Sequence, residues 1–417
     1  MEYEALIEDI FSRHPSVQVS GFGPKSYKAG LDAMRGFDSK LGSPWRNYRI
    51  IHVAGTNGKG SVSSMLASCM AAKGQKVGLY TSPHLLDFRE RVKIVRPNGW
   101  EMVGKDYVQT FLEANMENIE RLSFFEITTG LAFSWFAEQK VDVAIIEVGL
   151  GGRLDSTNII DSGLSIVTSI GLDHCALLGG TRQQIAREKG GIFKKGTGAL
   201  VWGHDPQTDP VFEECAHNAG AELHYADGMI SDDRLESIDF RSMDLQGEYQ
   251  KDNVRTVLAA LKLLSVEADT HALEHTAQRT GLRGRWEKLR IDGRELIFDI
   301  GHNPPALTRN FAQLRSLGKP LTIVYGVMAD KALDDIAPLM PSDADYILCA
   351  PKGNRALPVP ELHARLSELR PELRLEDAGS VAQAVERAIS KSQIESVIYV
   401  GGSTFVVAEA LLLTNRN

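Results

Sequence analysis

The stretch Gly55-Thr56-Asn57-Gly58-Lys59-Gly60-Ser61 decides the fold of the first half of the chain, because it joins two different patterns. The β-prone run Ile50-Ile51-His52-Val53-Ala54 precedes it, and apolar residues with helical spacing follow it from Val62 to Met70. A strand, a glycine turn and a helix in this order form a phosphate cradle of backbone N–H groups. Lys59 is expected to reach the outer phosphates, and Ser61 to offer its hydroxyl to Mg²⁺. The stretch therefore predicts ATP binding, although its loop is shorter than the usual P-loop.

Composition and charge favour a soluble enzyme that acts on small molecules. The chain has 417 residues and a net charge of -8 without basic runs, which gives no electrostatic footprint for nucleic acid or an anionic membrane. Neither a signal peptide nor an apolar run long enough to span a bilayer is recognisable. The four cysteines are scattered without CxxC pairing, as is typical of a reducing compartment. We therefore expect a cytoplasmic enzyme with no nucleic-acid, membrane or obligate protein partner.

Strand-like apolar runs alternate with helical patterns along the whole chain, which predicts parallel sheets covered by helices, an α/β fold. Functional residues should then gather at the carboxyl ends of the strands. The predicted strands are 76–81, 141–148, 164–170, 296–300, 321–325, 346–350 and 397–400.

Two of these strands end on residues that could hold a metal. Glu147 closes the apolar run Val143-Ala144-Ile145-Ile146, and an acid at such a place beside a phosphate loop commonly serves Mg²⁺. His174 follows the strand that ends at Ile170. Taken singly, an acid such as Glu147 is more often a solvated strand-end charge. A lone histidine such as His174 is usually a hydrogen-bonded core or surface residue, because Mg²⁺ prefers oxygen ligands.

A predicted helix from Arg182 to Lys189 is capped by Thr181 and ended by Gly190-Gly191. By pattern alone, Lys189 is a cation placed favourably at a helix C-terminus. The later half adds two polar turns at predicted strand ends, Leu282 to Glu287 and Asp299 to Pro304. Either turn alone would be structural, but their recurrence at strand ends favours a functional role.

Taken together, six motifs in order make the chain resemble the folylpolyglutamate synthase family, including its bifunctional dihydrofolate synthase form, a branch of the Mur ligase superfamily. The resemblance runs from about Lys28 to Phe405, nearly the whole chain. The motifs are 53–61, 81–92, 147–158, 172–174, 188–192 and Asp299 with 302–304. One departure is Gly190, where the family often has alanine.

The resemblance implies an α/β fold of two domains. The first is a P-loop, Mur-ligase-type ATP-binding domain with a parallel central sheet, residues 1–287. A linker at 288–294 and a smaller Rossmann-like C-terminal glutamate ligase domain at 295–417 follow.

It also implies a role for each matching residue. Lys59, Lys189 and His174 would be catalytic, with Lys189 carbamylated. ATP would be bound by the loop from Gly55 to Ser61 and by Asn253, Arg285, Asp299 and His302. Two Mg²⁺ ions would be held by Ser61, Ser82, Glu147 and His174. The pterin substrate would contact Lys28, Ala29, Gly30, Leu31, Ser123, Phe124, Phe125, Glu126, Arg153 and Asp155.

The implied reaction is the ATP-dependent addition of L-glutamate to dihydropteroate, to the γ-carboxylate of reduced folates, or to both, through an acyl phosphate. Activity on reduced folates alone is the nearest alternative. A cell-wall amino acid ligase of the Mur type would carry an additional UDP-binding domain, for which too few residues precede His52. An ATPase switch that forms no amide would leave Lys189 and the C-terminal motifs without a purpose.

Overall fold

The structure, a computed structural model, describes residues 2–21, 30–331 and 333–414. The chain divides into two compact units, of which the first comprises Met1–Asp244 and Gln250–Leu282 and the second Leu245–Tyr249 and Arg283–Asn417. The predicted linker at 288–294 differs from this division, because its first residues belong to a strand of the second unit. Alternating exposure along that strand, Arg285–Ile291, explains why it did not read as a buried strand.

A twisted sheet forms the centre of the first unit, with eight strands among the described residues. They are β1 (Arg49–Ala54), β2 (Val77–Tyr80), β3 (Val92–Arg96), β4 (Gly99–Met102), β5 (Val143–Glu147), β6 (Leu164–Val167), β7 (Gly198–Val201) and β8 (Glu222–Tyr225). The spatial order is β4-β3-β2-β5-β1-β6-β7-β8. β3 pairs antiparallel with β2 and β4, and the other pairs are parallel. The carboxyl ends of β1, β5 and β6 therefore lie side by side, as the sequence predicted.

Helices cover this sheet and form many of the connections between its strands. They are α1 (Tyr3–Arg13), α2 (Val17–Ser20), α3 (Asp32–Lys40), α4 (Lys59–Ala72), α5 (Lys105–Ile119), α6 (Phe124–Glu138), α7 (Cys175–Leu178), α8 (Arg182–Gly190), α9 (Asp209–Ala219), α10 (Ala226–Met229), α11 (Asp232–Glu236), α12 (Gln250–Leu263), α13 (Thr270–Glu274) and α14 (Thr276–Thr280). Short 3-10 turns occur at Pro44–Asn47, Phe88–Arg91 and Ser156–Ile159.

The helix after the phosphate loop, α4, is buried on all sides and not along one stripe. Every residue from Gly60 to Ala71 is buried, because the sheet packs against one side of α4. The helices α12, α13 and α14 pack against its other side. Serines and alanines at the non-apolar positions make this close approach possible. The stripe expected from the sequence is real, but it is only part of the buried surface.

The second unit has its own six-stranded sheet among the described residues. Its strands are β9 (Arg285–Ile291), β10 (Arg294–Asp299), β11 (Leu321–Tyr325), β12 (Asp345–Ala350), β13 (Arg374–Ser380) and β14 (Val397–Gly401), in the order β13-β12-β11-β14-β10-β9. Its helices are α15 (Pro304–Ser316), α16 (Leu333–Ile336), α17 (Val359–Leu369), α18 (Val381–Lys391) and α19 (Thr404–Thr414), with a 3-10 turn at Ala337–Leu339. Only β9 is antiparallel, so the sheet is Rossmann-like with an added edge strand.

The central strands of both units are buried on both faces. β5 and β14 have no exposed residue, which is why their sequences read as continuous apolar runs. None of the described helices is both long and apolar enough to cross a membrane.

Candidate active site

The phosphate loop lies at the carboxyl end of β1, and polar side chains from the end of the neighbouring β6 hold it in shape. The Thr168 hydroxyl donates to the carbonyl of Asn57 at 2.7 Å. Ser169 accepts from the Asn57 N–H at 3.3 Å, and its carbonyl accepts from the Thr56 N–H at 2.8 Å. Gly55 has φ +153°, and a Cβ there would lie 1.7 Å from the Thr168 hydroxyl oxygen. Only glycine at position 55 allows the loop to approach β6 this closely.

The lysine of the loop, Lys59, begins α4. Its ammonium donates to the carbonyls of Gly55 at 3.0 Å and Thr56 at 3.3 Å, so the side chain curls back over the loop. The preceding residue, Gly58, is the helix N-cap with φ +90°. The N-terminus of α4, with its partial positive charge, and the Lys59 ammonium therefore lie together at the loop.

A second lysine reaches the same loop from α8. Lys189 is 4% exposed, and its ammonium donates to the Gly55 carbonyl at 2.9 Å, the same oxygen that Lys59 contacts. Burial, with a smaller contribution from the Lys59 charge, lowers the pKa of Lys189 from 10.5 to about 7. A large fraction of this amine is therefore neutral at physiological pH, unlike a lysine in water. Lys189 is thus buried against the phosphate loop, whereas the pattern alone predicts an exposed cation at the end of a helix.

Of the four residues predicted for metal binding, Ser82, Glu147 and His174 lie at or after strand ends of the first unit, and Ser61 lies in α4. Glu147 ends β5, is 2% exposed and accepts from the Ser82 N–H at 3.2 Å. Ser61 lies in the first turn of α4 and accepts from the Gln250 amide at 3.2 Å. His174 has a left-handed backbone, φ +52°, and its ring Nε2 lies 3.9 Å from a carboxylate oxygen of Asp173. No three His, Cys, Asp or Glu side chains form a metal cage in the part of the chain that the structure describes.

This donor set fits a hard divalent cation that takes part of its coordination from a nucleotide. Mg²⁺ sites commonly combine one or two carboxylates with hydroxyls, waters and substrate phosphates, and do not need a cage of protein ligands. The buried carboxylate of Glu147 and the hydroxyls of Ser61 and Ser82 are such donors. His174 is the least suited of the four, because imidazole is a softer ligand.

Two amide side chains of α12 lie against the phosphate loop. Asn253 places its Oδ1 so close to Gly58 that a Cβ on that glycine would be 2.3 Å away. Gln250 accepts from the Asn253 amide at 2.7 Å and donates to Ser61. Asn253 was predicted from the resemblance. Gln250 and Thr168 were not predicted. Thr168 could have been, because a polar residue that directly follows an apolar strand often lies at a functional site.

In the second unit, Asp299 ends β10 and is 2% exposed. Its two carboxylate oxygens accept from four donors at 2.6 to 2.9 Å: the Trp286 and Gly301 N–H groups, the Tyr249 hydroxyl and the Asn310 amide. Asp299 thus organises the end of β10 as well as being a predicted nucleotide residue. Arg285 and His302 flank it and are partly buried, and His302 Nδ1 donates to the Ile300 carbonyl at 2.9 Å.

The positions predicted for the pterin substrate lie in three parts of the chain, which are 28–31, 123–126 and the loop with Arg153 and Asp155. Ser123 and Glu126 form the capping box of α6 and are buried, and Phe124 packs into the core against Phe11. Phe125 is partly exposed and lies over Gly149, where a Cβ would be 2.6 Å from its ring. Lys28 and Ala29 lie outside the described residues, whereas Gly30 and Leu31 immediately precede α3.

Arg153 and Asp155 belong to the loop that follows β5. Arg153 is largely exposed and pairs with Glu188 at 2.8 Å. Asp155 is buried, accepts from the Leu150 and Thr157 N–H groups, and has a raised pKa because of its burial. Asp155 therefore shapes the loop, and Arg153 is the more accessible of the two.

Comparison with known protein families matches a Mur ligase domain to each of the two units. Residues 53–262 match the Mur ligase middle domain and residues 284–404 the Mur ligase, glutamate ligase domain. A Haemophilus influenzae dihydrofolate synthase/folylpolyglutamate synthase is 31% identical, over 92% of this chain and 93% of its own.

Two solved structures are similar over nearly the whole chain. Escherichia coli FolC in complex with DHPP and ADP is 29% identical with a TM-score of 0.83, over 99% of this chain and 97% of its own. A bifunctional folylpolyglutamate synthase/dihydrofolate synthase with Mn, AMPPNP and L-glutamate bound is also 29% identical, with a TM-score of 0.80, over 93% of this chain and 95% of its own.

Proposed function

This chain belongs to the dihydrofolate synthase/folylpolyglutamate synthase family of Mur-type ligases, and we infer that it joins L-glutamate to a folate-type carboxylate with ATP. The observation that carries this inference is the meeting of Lys59 and Lys189 on the Gly55 carbonyl, within the phosphate loop of a chain that matches the family over more than nine-tenths of its length. An ATPase that only switches conformation would not need a second, buried lysine at the phosphate loop.

The reaction follows from the poor reactivity of a carboxylate. Transfer of the γ-phosphoryl group of ATP to the substrate carboxylate gives an acyl phosphate and ADP. The loop N–H groups and Lys59 stabilise the charge that develops on the transferred group. The glutamate amine then attacks the acyl carbon, the amide forms, and phosphate leaves. The carboxylate would belong to dihydropteroate, to the terminal γ-carboxylate of a reduced folate, or to both in turn. Activity on reduced folates alone is the alternative.

For the metal, we propose Mg²⁺, with two ions held among Ser61, Ser82, Glu147 and His174. A divalent ion supplies charge neutralisation for the transferred phosphoryl group. The Glu147 carboxylate supports this assignment, because it is held at the end of β5, next to the strand that leads into the phosphate loop, and carboxylate oxygens are ligands that Mg²⁺ prefers. The Ser82 N–H fixes the orientation of that carboxylate.

We further propose that Lys189 is carbamylated in the working enzyme. Its neutral amine would attack CO₂, form a C–N bond and release a proton, which turns a cationic side chain into an anionic carbamate. A pKa of about 7 makes the reacting neutral form abundant, and this observation supports the proposal. An anion at this position would attract the Lys59 ammonium or a divalent ion, whereas the ammonium repels both.

Nucleotide contacts are proposed for the loop from Gly55 to Ser61, for Asn253 in α12 and for Arg285 and His302 in the second unit. For Asp299, which the resemblance places beside the ribose, the four donors it already binds mean that a ribose hydroxyl must share an oxygen with one of them. Substrate contacts stay proposals for Gly30, Leu31, Phe125 and Arg153, and also for the buried residues Ser123, Phe124, Glu126 and Asp155. For Lys28 and Ala29, the family resemblance is the only support for a substrate contact.

The test is ATP-dependent incorporation of labelled glutamate, run in parallel with dihydropteroate and with tetrahydrofolate. Amide formation with both acceptors is expected. Conjugation of tetrahydrofolate alone would narrow the function to the polyglutamate reaction. ATP hydrolysis without amide formation with either acceptor would contradict the proposal.

We also propose a cytoplasmic location, since the four cysteines form no disulfide.

A further inference from the structure

The first residue of α12, Gln250, is completely buried and joins two predicted ligand-binding residues. Its Nε2 donates to the Ser61 hydroxyl oxygen at 3.2 Å. Its Oε1 accepts from the Asn253 amide at 2.7 Å. Asn253 in turn lies against Gly58 of the phosphate loop. One buried amide thus contacts a serine expected at the cation and an asparagine expected at the nucleotide.

The direction of the first hydrogen bond matters for the serine. A hydroxyl has one hydrogen and two lone pairs, and it can rotate. When Gln250 donates to one lone pair, the hydroxyl hydrogen has to point elsewhere and the second lone pair is held in a fixed direction. A cation needs a lone pair and not a hydrogen. Without the donor, the buried hydroxyl is free to turn its hydrogen toward the cation position, and the amide group is lost from a site where each polar group needs a partner.

We propose that Gln250 is a positioning residue that orients the Ser61 hydroxyl for the divalent cation of the bound nucleotide. Gln250 acts through Ser61 and does not itself contact the cation. The proposal rests on the proposed function only in assuming that a nucleotide and its cation bind at the loop. It adds a residue that neither the motif pattern nor the family resemblance singled out.

The test uses Gln250→Met, which keeps the length of the side chain and removes both hydrogen bonds. The primary measurement is the affinity of the ADP-loaded full-length protein for Mn²⁺, by electron paramagnetic resonance. One lost hydrogen bond predicts Mn²⁺ affinity weaker by about 3- to 10-fold. Thr256→Val is the matched control, because Thr256 is buried in the same helix and its hydroxyl donates to the Asp252 backbone carbonyl, a contact within α12. Its Mn²⁺ affinity should equal that of the wild type.

A double-mutant cycle separates positioning from a general structural effect. In the Ser61→Ala background, Gln250→Met should weaken Mn²⁺ binding by less than about 2-fold, because the hydroxyl that it orients is gone. An equal loss in both backgrounds, or no loss in the wild-type background, would overturn the proposal. If the methionine variant does not fold, Gln250→Leu gives the same comparison with another non-donating side chain.

The binding measurement does not require ligation. If the wild type binds Mn²⁺ and ADP but forms no amide with any folate, the proposed function fails, while the cycle still decides the role of Gln250.

Discussion

Replacing the buried Lys189 by methionine should make the stability of the nucleotide-free protein less dependent on pH. The lysine is 4% exposed, and burial lowers its pKa from 10.5 to about 7. Between pH 7 and 10.5 the unfolded chain therefore binds a proton at this side chain that the folded protein does not. The free energy of unfolding of the wild type rises with pH in that window. Below pH 7 the penalty for burying the ammonium is fully present.

The magnitude follows from the two pKa values. With about 1.36 kcal/mol per pKa unit, the ionisation penalty is about 4 kcal/mol at pH 7 and about 2 kcal/mol at pH 9. Methionine has similar length and no charge, so the variant carries none of this penalty. The stability advantage of Lys189→Met over the wild type should thus shrink by about 2 kcal/mol between pH 7 and pH 9.

The assay is urea unfolding of both proteins at pH 7 and pH 9 in CO₂-free buffer without nucleotide or metal. Lys195→Met, at an exposed lysine close by in sequence, serves as the control and should differ from the wild type equally at both pH values. A Lys189→Met difference that stays constant within about 0.5 kcal/mol would refute the reasoning, because it would mean that Lys189 keeps an ordinary pKa in the folded protein.

Three further predictions concern the phosphate loop and the metal. Lys59→Met should abolish phosphoryl transfer in a glutamate incorporation assay and change the free energy of unfolding by no more than about 1 kcal/mol, because the hydrogen bonds of its ammonium go to the Gly55 and Thr56 carbonyls of its own loop. Near-normal incorporation would contradict its role. Glu147→Gln should raise the Mg²⁺ concentration needed for half-maximal activity, since a neutral amide is a weaker ligand for a hard cation, and an unchanged Mg²⁺ titration would reject the assignment. Gly55→Ala should weaken ATP binding and destabilise the first unit by about 1 to 3 kcal/mol, because the new Cβ would lie 1.7 Å from the Thr168 hydroxyl oxygen. Gly180→Ala, whose Cβ would meet nothing within 4 Å, should weaken neither ATP binding nor the stability of the first unit, as calorimetry of both variants can show.

Most of the buried parallel strands were predictable because their apolar pattern is local, although β7 (Gly198–Val201), which is short and begins with glycine, was not predicted. Runs such as Val143 to Ile146 and Val397 to Val400 are apolar at every position, which only a strand covered on both faces tolerates. Strands with exposed positions escaped this criterion. β4 (Gly99–Met102), β8 (Glu222–Tyr225) and β9 (Arg285–Ile291) have exposed or partly exposed residues and depend on their pairing partners, which no local pattern contains.

For the site, motif residues were predictable and their supporting contacts were not. The loop from Gly55 to Ser61 announces itself by glycine spacing. By contrast, Lys189 reaches the Gly55 carbonyl across 134 residues of sequence and Gln250 reaches Ser61 across 189. The lowered pKa of Lys189 is a consequence of burial, which a charged residue in a polar helix does not predict by its pattern and which only the carbamylated lysine of the family led us to expect.

Tertiary packing also explains a departure from the family pattern. Gly190 stands where alanine is frequent, and a Cβ there would lie 3.0 Å from the Cys215 sulfur. This contact is tighter than ordinary packing, so the cysteine on α9 favours glycine on α8.

The central claim, an acyl phosphate formed from ATP and a folate-type carboxylate, is tested most directly by oxygen transfer. Tetrahydrofolate, or dihydropteroate, labelled with ¹⁸O in its reacting carboxylate is incubated with the enzyme, ATP, Mg²⁺ and L-glutamate, and the released phosphate is analysed by mass spectrometry. Because phosphate leaves with the oxygen that linked it to the acyl carbon, each amide formed should yield one phosphate with one ¹⁸O atom. Amide formation with unlabelled phosphate would contradict the acyl phosphate and the mechanism built on it.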